Sequence, residues 1–334
     1  MIDFLATEPH YLDHLVPIWH ELQPHERGRF YITRTMLQHA DLRGIERARL
    51  GKIPPPDSGP LIVTAAHKDS RRVPLRRVAL VEHGAGQTYM LDTGEPDRNP
   101  SNPGGTHRDN VSLFLCPNYD VAGRNRAAYP GAAVEVIGCP KLDRWHSDTW
   151  WGTTRWQEDP PTVAVAFHWD NHQVPESRWA YPHYSRVLAQ IAEEWPGAIG
   201  HAHPRAIGRL VPALTKAGLQ VAADFVDVLN EADVLVCDNS SVLYEFASTG
   251  RPVVVLNAPW YRREVSHGLR FWEAIPGLEV EEPGELGPAI TLALEDPAGV
   301  AIMRQQAIER VYAYTDGQAS RRAADALRAV AGSA

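Results

Sequence analysis

Residues 232–257 read ADVLVCDNSSVLYEFASTGRPVVVLN. The run DVLVCD (233–238) is apolar and rich in β-branched side chains, the pattern of a strand buried on both faces. It stops at an acid, an amide and two hydroxyls. SVLYEFASTG (241–250) then takes up helical spacing and closes at a glycine, and PVVVLN (252–257) is a second buried strand. Strand, polar turn, helix and strand make one βαβ unit with parallel strands. Asn239, Ser240 and Ser241 fall in the turn at the carboxyl end of the first strand, with Glu245 one turn into the helix. Free N–H groups at a helix start, two hydroxyl donors and the positive end of the helix dipole favour an anion there, most simply a phosphate. The plain alternative is that Ser or Asn only caps the helix.

The same rhythm runs through the second half. TVAVAFH (162–168), GAIGHAH (197–203) and LQVAAD (219–224) read as strands, separated by helix-like YSRVLAQIAEEW (184–195), AIGRLVPALTKAG (206–218) and FVDVLNEA (225–232). This half is expected to be Rossmann-like. The first half repeats the theme with strands LIVTAAH (61–67), RRVALVEHG (76–84), VSLFLCPN (111–118) and AAVEVIGCP (132–140). Between them lie Pro/Gly-rich stretches, the longest at 92–110. The Trp-rich run at 144–161 reads as the interdomain crossing, and 296–314 and 318–332 as two amphipathic helices.

A chain of 334 residues is long enough for two domains with separate cores. The boundaries expected are 1–155 for a Rossmann-like acceptor domain, 156–315 for a Rossmann-like nucleotide-donor domain, and 316–334 for a helix crossing back to the first. Two such lobes place ligands at strand carboxyl ends facing a shared crevice. Composition is that of a globular protein, with 44% hydrophobic and 22% charged residues. The formal charge of −8 argues against a nucleic-acid partner, which needs a basic face. No apolar run approaches the ~20 residues that span a bilayer, so the expected compartment is the cytoplasm. The three cysteines, Cys116, Cys139 and Cys237, each lie in or beside a strand-like run and are expected to be buried thiols.

HAHPR (201–205) ends the strand run beside DNSS, so His203 and Arg205 are expected on the same sheet edge; a forked guanidinium and an imidazole suit a diphosphate. FHWDNHQ (167–173) brings His168, Asp170 and His172 to alternate positions after another strand, where they either line the donor crevice or hold a divalent metal; the crevice is the expectation, with no metal. Arg262 and Arg263 follow PVVVLN and are read either as contacts to a phosphate or acidic acceptor or as plain surface charge.

The order H-P-R, then a strand ending D-x-S-S-V, then a helix ending G-R-P-V-V-V resembles the C-terminal domain of the CDP-glycerol glycerophosphotransferases that build teichoic-acid polymers. VEHGAGQTY (81–89), GCPKLD (138–143) and DGQAS (316–320) are similar to further motifs of that family, in consistent order from about residue 80 to 325. The resemblance implies a GT-B-like fold, α/β with two doubly wound Rossmann-like domains, and a transferase that moves glycerol phosphate or another alditol phosphate from a CDP-linked donor to an acceptor hydroxyl, releasing CMP. No cofactor is implied, because the activated nucleotide is itself the substrate. The acceptor is a polyol phosphate or glycan, and a peripheral contact at the inner face of the membrane goes with it. His203, Arg205, Asn239, Ser240 and Ser241 would hold the diphosphate, and Glu245 and Asp238 would meet the nucleotide ribose. His83 would be the general base, with Gly84 and Gln87 beside it. The family usually continues its HG pair with Thr-Pro and a lysine, whereas this chain reads Ala85-Gly86-Gln87-Thr88, which leaves donor and acceptor open. A glycosyltransferase using a UDP or GDP sugar, a UDP-sugar 2-epimerase and a non-catalytic binding protein are the alternatives.

Overall fold

The computed structural model describes residues 1–46, 48–51, 59–85, 108–147, 160–172, 174–263 and 273–332. These divide into two compact units, one drawn from Met1–Trp151 and Tyr312–Ala334, the other from Gly152–Val311.

The second unit carries a fully parallel sheet of β8 (Val163–Phe167), β9 (Ile199–Ala202), β10 (Gln220–Ala222), β11 (Val234–Cys237), β12 (Val253–Leu256) and β13 (Leu278–Val280) in the order β10-β9-β8-β11-β12-β13. The central strands VAVAF, VLVC and VVVL are buried along their whole length, because helices cover both faces. Strand order reverses between β8 and β11, and a doubly wound sheet opens a crevice at such a point. β13 (LEV) was not among the expected strands; three residues at an edge are too few to carry a period.

The first unit has seven parallel strands in the order β3-β2-β1-β4-β5-β6-β7: β1 (Ile2–Leu5), β2 (Arg27–Ile32), β3 (Ala48–Leu50), β4 (Leu61–Thr64), β5 (Arg77–Val81), β6 (Val111–Cys116) and β7 (Ala133–Val136). The four strands expected from sequence are β4 to β7; β1, β2 and β3 correct that count. β1 is central yet only four residues long, and its Asp3 breaks the apolar run. That acid is buried because its carboxylate accepts N–H bonds from Arg29 at 2.7 Å and Gly59 at 2.6 Å. Phe4, Trp19 and Phe30 pack at centroid distances of 5.2 to 5.5 Å between β1, β2 and the helix Pro9–Glu21. Each such side chain contributes about 1.5–3 kcal/mol by leaving water.

The helix Ala319–Gly332 also belongs to this unit, and its Ala323, Ala324 and Leu327 join the same core. Asp143 of GCPKLD anchors its start by accepting the N–H groups of Ala319 at 2.9 Å and Ser320 at 2.7 Å. Gly138 of the same motif has φ +87, and a Cβ there would stand 2.9 Å from the Tyr314 carbonyl oxygen. Two motifs joined across 176 residues thus form one structural joint. Asp143→Ala is expected to lower the unfolding free energy by about 1–2 kcal/mol, the range of a lost cap bond, and an unchanged denaturant midpoint would refute the anchor.

All three cysteines are buried. Burial pushes the Cys116 thiol up to about 12 and the Cys237 thiol well above its usual value, so neither offers a thiolate near neutrality. Among the described residues no single helix is long and apolar enough to cross a membrane.

Candidate functional site

Sheet register gathers the polar residues of the second unit at its switch point. Phe167 pairs with Ala202 and Cys237 with Ala166, so the residues that follow β8, β9 and β11 leave the sheet at one edge. The His168 and His203 rings stand 5.1 Å apart, and the Arg205 guanidinium lies 5.0 Å over the Trp169 ring. His203 Nδ1 accepts the Arg205 backbone N–H at 3.1 Å, which starts the turn Pro204–Ala206. His168 Nδ1 lies 3.1 Å from the Ser177 carbonyl, the position of a donor, and burial pulls this imidazole down to about 4. It is neutral near pH 7.

The DNSS turn divides its labour. Asp238 is fully buried, and its two oxygens accept N–H bonds from His168 at 2.8 Å and Ala180 at 2.9 Å. The Asn239 amide donates to the Glu176 carbonyl. Ser240 is buried and its N–H donates to the Asp238 carbonyl at 2.7 Å. Ser241 is half-buried, in helical conformation at φ −61 and ψ −25, and its hydroxyl makes no cap bond to the helix Val242–Ala247. Plain capping is therefore not what this serine does.

Several expectations are corrected here. Asp238 and Glu245 were assigned to the ribose, but Asp238 has both oxygens occupied by backbone donors, and Glu245 is enclosed at 2% exposure. Arg262 forks onto the buried Glu176 carboxylate, at 2.6 Å from Nε and 2.8 Å from Nη2, and Arg263 pairs with Glu279 and Glu281. Two carboxylates and a buried acid already neutralise these arginines, so neither stands ready for a phosphate. Asp170 pairs with Arg178 at 3.1 Å and His172 at 3.1 Å, while His168 turns to Ser177. The alternating set does not converge, and no metal-holding group of three appears among the described residues.

In the first unit, His83 follows β5, and Gly84 takes φ +78 to turn the chain away. The helix Pro9–Glu21 brings three rings against His83: Tyr11 at 5.2 Å, His14 at 6.2 Å and His10 at 6.4 Å between centroids. His10 and His14 are one turn apart and share a face. His14 is buried, its Nδ1 makes no hydrogen bond, and burial, then Lys141, His83 and His10, hold it well below the usual imidazole range. Two unit charges at such a separation repel by roughly 2.7 kcal/mol at an effective dielectric of ~20, which adds to the burial that keeps His14 below the usual range. Lys141 of GCPKLD is itself buried, in the turn Pro140–Leu142 that packs on this helix.

His10, His14, Lys141 and Trp169 were not singled out from sequence. The signal for the first pair was present in PHYLDH, two histidines four apart after a short strand; that strand was not recognised. Gln87 and most of the 92–110 loop and of the Trp-rich 145–156 segment lie outside the described residues.

Residues 203–328 match the family model for CDP-Glycerol:Poly(glycerophosphate) glycerophosphotransferase, a stretch that takes in His203, Arg205, DNSS and DGQAS. No curated protein matches the chain. Among solved structures, the wall teichoic acid polymerase TagF is similar over 100% of this chain and 89% of its own, at 14% identity and a TM-score of 0.67. A TagF variant with CDPG is similar over 99% and 88%, at 15% identity and TM-score 0.65. The UDP-GlcNAc 2-epimerase of Neisseria meningitidis, bound to UDP-GlcNAc, is similar over 98% and 99%, at 15% identity and TM-score 0.60. These likenesses bear out the GT-B-like fold of two Rossmann-like units. The family match bears out the resemblance read from the motifs over residues 203–328.

Proposed function

We propose that the chain transfers an alditol phosphate, in the first instance glycerol phosphate, from a CDP-linked donor to an acceptor hydroxyl and releases CMP. What supports the reading is that Arg205, His203 and the Ser240-Ser241 turn follow strands of the second unit whose carboxyl ends share one sheet edge, within the stretch matched by the glycerophosphotransferase model. The acceptor oxygen attacks the β-phosphorus, a new P–O bond forms, the bridging P–O bond breaks, and the electron pair leaves on CMP. Charge grows on the departing phosphate, and the Arg205 guanidinium and the Ser240 and Ser241 hydroxyls are the donors that stabilise it. His83 accepts the acceptor's proton. The Tyr11, His14 and His10 rings stand around it at 5.2, 6.2 and 6.4 Å between centroids. The acceptor class is a polyol phosphate or glycan, and the site of action is the inner face of the membrane.

A thermal-shift screen against CDP-glycerol, CDP-ribitol, CMP, UDP-GlcNAc, UDP-glucose and GDP-mannose tests this reading. A ligand at ~100 times its dissociation constant stabilises the native state by about 2.7 kcal/mol. Stabilisation by the CDP-alditols and CMP is expected, diminished in Ser241→Ala. A response to UDP or GDP sugars alone would replace the reading by a nucleotide-sugar enzyme, including the epimerase that the fold also resembles.

A further inference from the structure

Trp169 leaves β8 between His168 and Asp170 and is half-buried. Its ring centroid lies 5.0 Å from Arg205 Cζ, 5.9 Å from the His168 ring and 6.3 Å from the His203 ring. Arg205 itself is exposed, and a long, exposed arginine stem samples many rotamers unless something restrains it. The structure restrains this one. The Arg205 backbone is fixed by its N–H bond to His203 Nδ1, and the guanidinium is drawn onto the electron-rich face of the indole.

Stacking engages the flat face of a guanidinium, while its N–H donors lie in its plane, at the rim. Arg205 Cζ lies over the Trp169 ring, and a guanidinium that stacks on the indole there meets an oxyanion edge-on, the orientation in which two N–H groups match two phosphate oxygens. The strand register supplies the reason the two residues meet, because Phe167 opposite Ala202 brings the residues after β8 and β9 to one edge. A lysine at 205 would have neither the plane nor the fork.

We propose that Trp169 is a positioning residue that presents the Arg205 guanidinium edge-on to the donor's diphosphate. The proposal rests on reading His203, Arg205, Ser240 and Ser241 as the diphosphate seat. Its test must separate the failure of the one from the failure of the other.

Isothermal titration of the full chain with inorganic pyrophosphate, and separately with cytidine, would compare wild type, Arg205→Ala, Trp169→Ala, Trp169→Phe and the double variant Trp169→Ala/Arg205→Ala. Trp169→Ala is expected to weaken pyrophosphate about fivefold, the scale of an exposed cation–π contact. Trp169→Phe, which keeps an aromatic face and the packing, is expected to recover most of that loss. The double variant is expected to be no weaker than Arg205→Ala alone, because the ring acts through the guanidinium. Wild-type pyrophosphate binding with Arg205→Ala weakened and Trp169→Ala unchanged would overturn this inference and leave the seat standing. Losses that add in the double variant, or weaker cytidine with unchanged pyrophosphate, would also overturn it; the second result would assign the ring to the base. No pyrophosphate binding by the wild type, or none lost in Arg205→Ala, would overturn the seat itself.

Discussion

Asp238→Ala is expected to cost the second unit about 3 kcal/mol or more, seen as a large drop in its unfolding midpoint. The substitution strips two backbone N–H groups, on His168 and Ala180, of their acceptor in the interior, and an unsatisfied buried donor costs about 1–3 kcal/mol each. The acid also carries a pH signature. Burial raises its carboxyl from the usual carboxylate range to about 7, against the pull of the N–H bonds from Ala180 and His168. Between pH ~4 and 7 the native state therefore holds a proton that the unfolded chain has released. The contribution to stability is complete below pH 4 and is lost as pH rises through 7, by an amount on the order of 4 kcal/mol. His168 acts in the opposite sense. Its folded value of about 4 lies below the ordinary imidazole value of about 6.5, so its contribution is present above 6.5 and lost as pH falls through 4. A pairwise comparison isolates the acid: the stability of wild type minus that of Asp238→Asn should fall steadily from pH 4 to 7.5. A flat difference would mean that the carboxyl ionises normally in the fold.

The second large effect concerns chemistry. His83→Ala is expected to lower kcat for transfer from CDP-glycerol by about 10²–10⁴, the usual worth of a positioned general base, with little change in donor KM. Donor affinity is expected to survive, since the diphosphate donors are assigned to the other unit. A variant that keeps a tenth of the wild-type kcat would remove His83 from the base's role. Loss of CMP binding in His83→Ala with kcat unchanged would move this histidine from the acceptor's proton to the donor.

Much of this was legible in the chain. The apolar runs at 61–67, 76–84, 111–118, 162–168, 233–238 and 252–257 are strands, because β-branched side chains buried on both faces leave a signal that no surface partner can disguise. Strands β1, β3 and β13 escaped because three or four residues carry too little pattern, with Asp3 interrupting the central one, and the six-residue β2 because Arg27, Gly28 and Arg29 break its apolar run. In DNSS, placement at the strand-to-helix turn was correct, while the roles within it were not separable by reading along the chain. Asp238 and Ser241 are both small, polar and adjacent to a helix start. One faces His168 and Ala180 across the sheet, and the other makes no cap bond.

Local sequence thus determined the parallel α/β class, the strand ends where polar residues gather, and the motifs shared with the glycerophosphotransferase model. Tertiary structure alone decided which charges remain available, since that depends on partners far away in the chain. Arg262 meets Glu176 across 86 residues, Asn239 meets the Glu176 carbonyl across 63, and Asp143 meets the start of the last helix across 176. The free energy of a buried polar group is set by whether its hydrogen-bond partner arrives, and that partner is brought by the fold, not by the residues on either side.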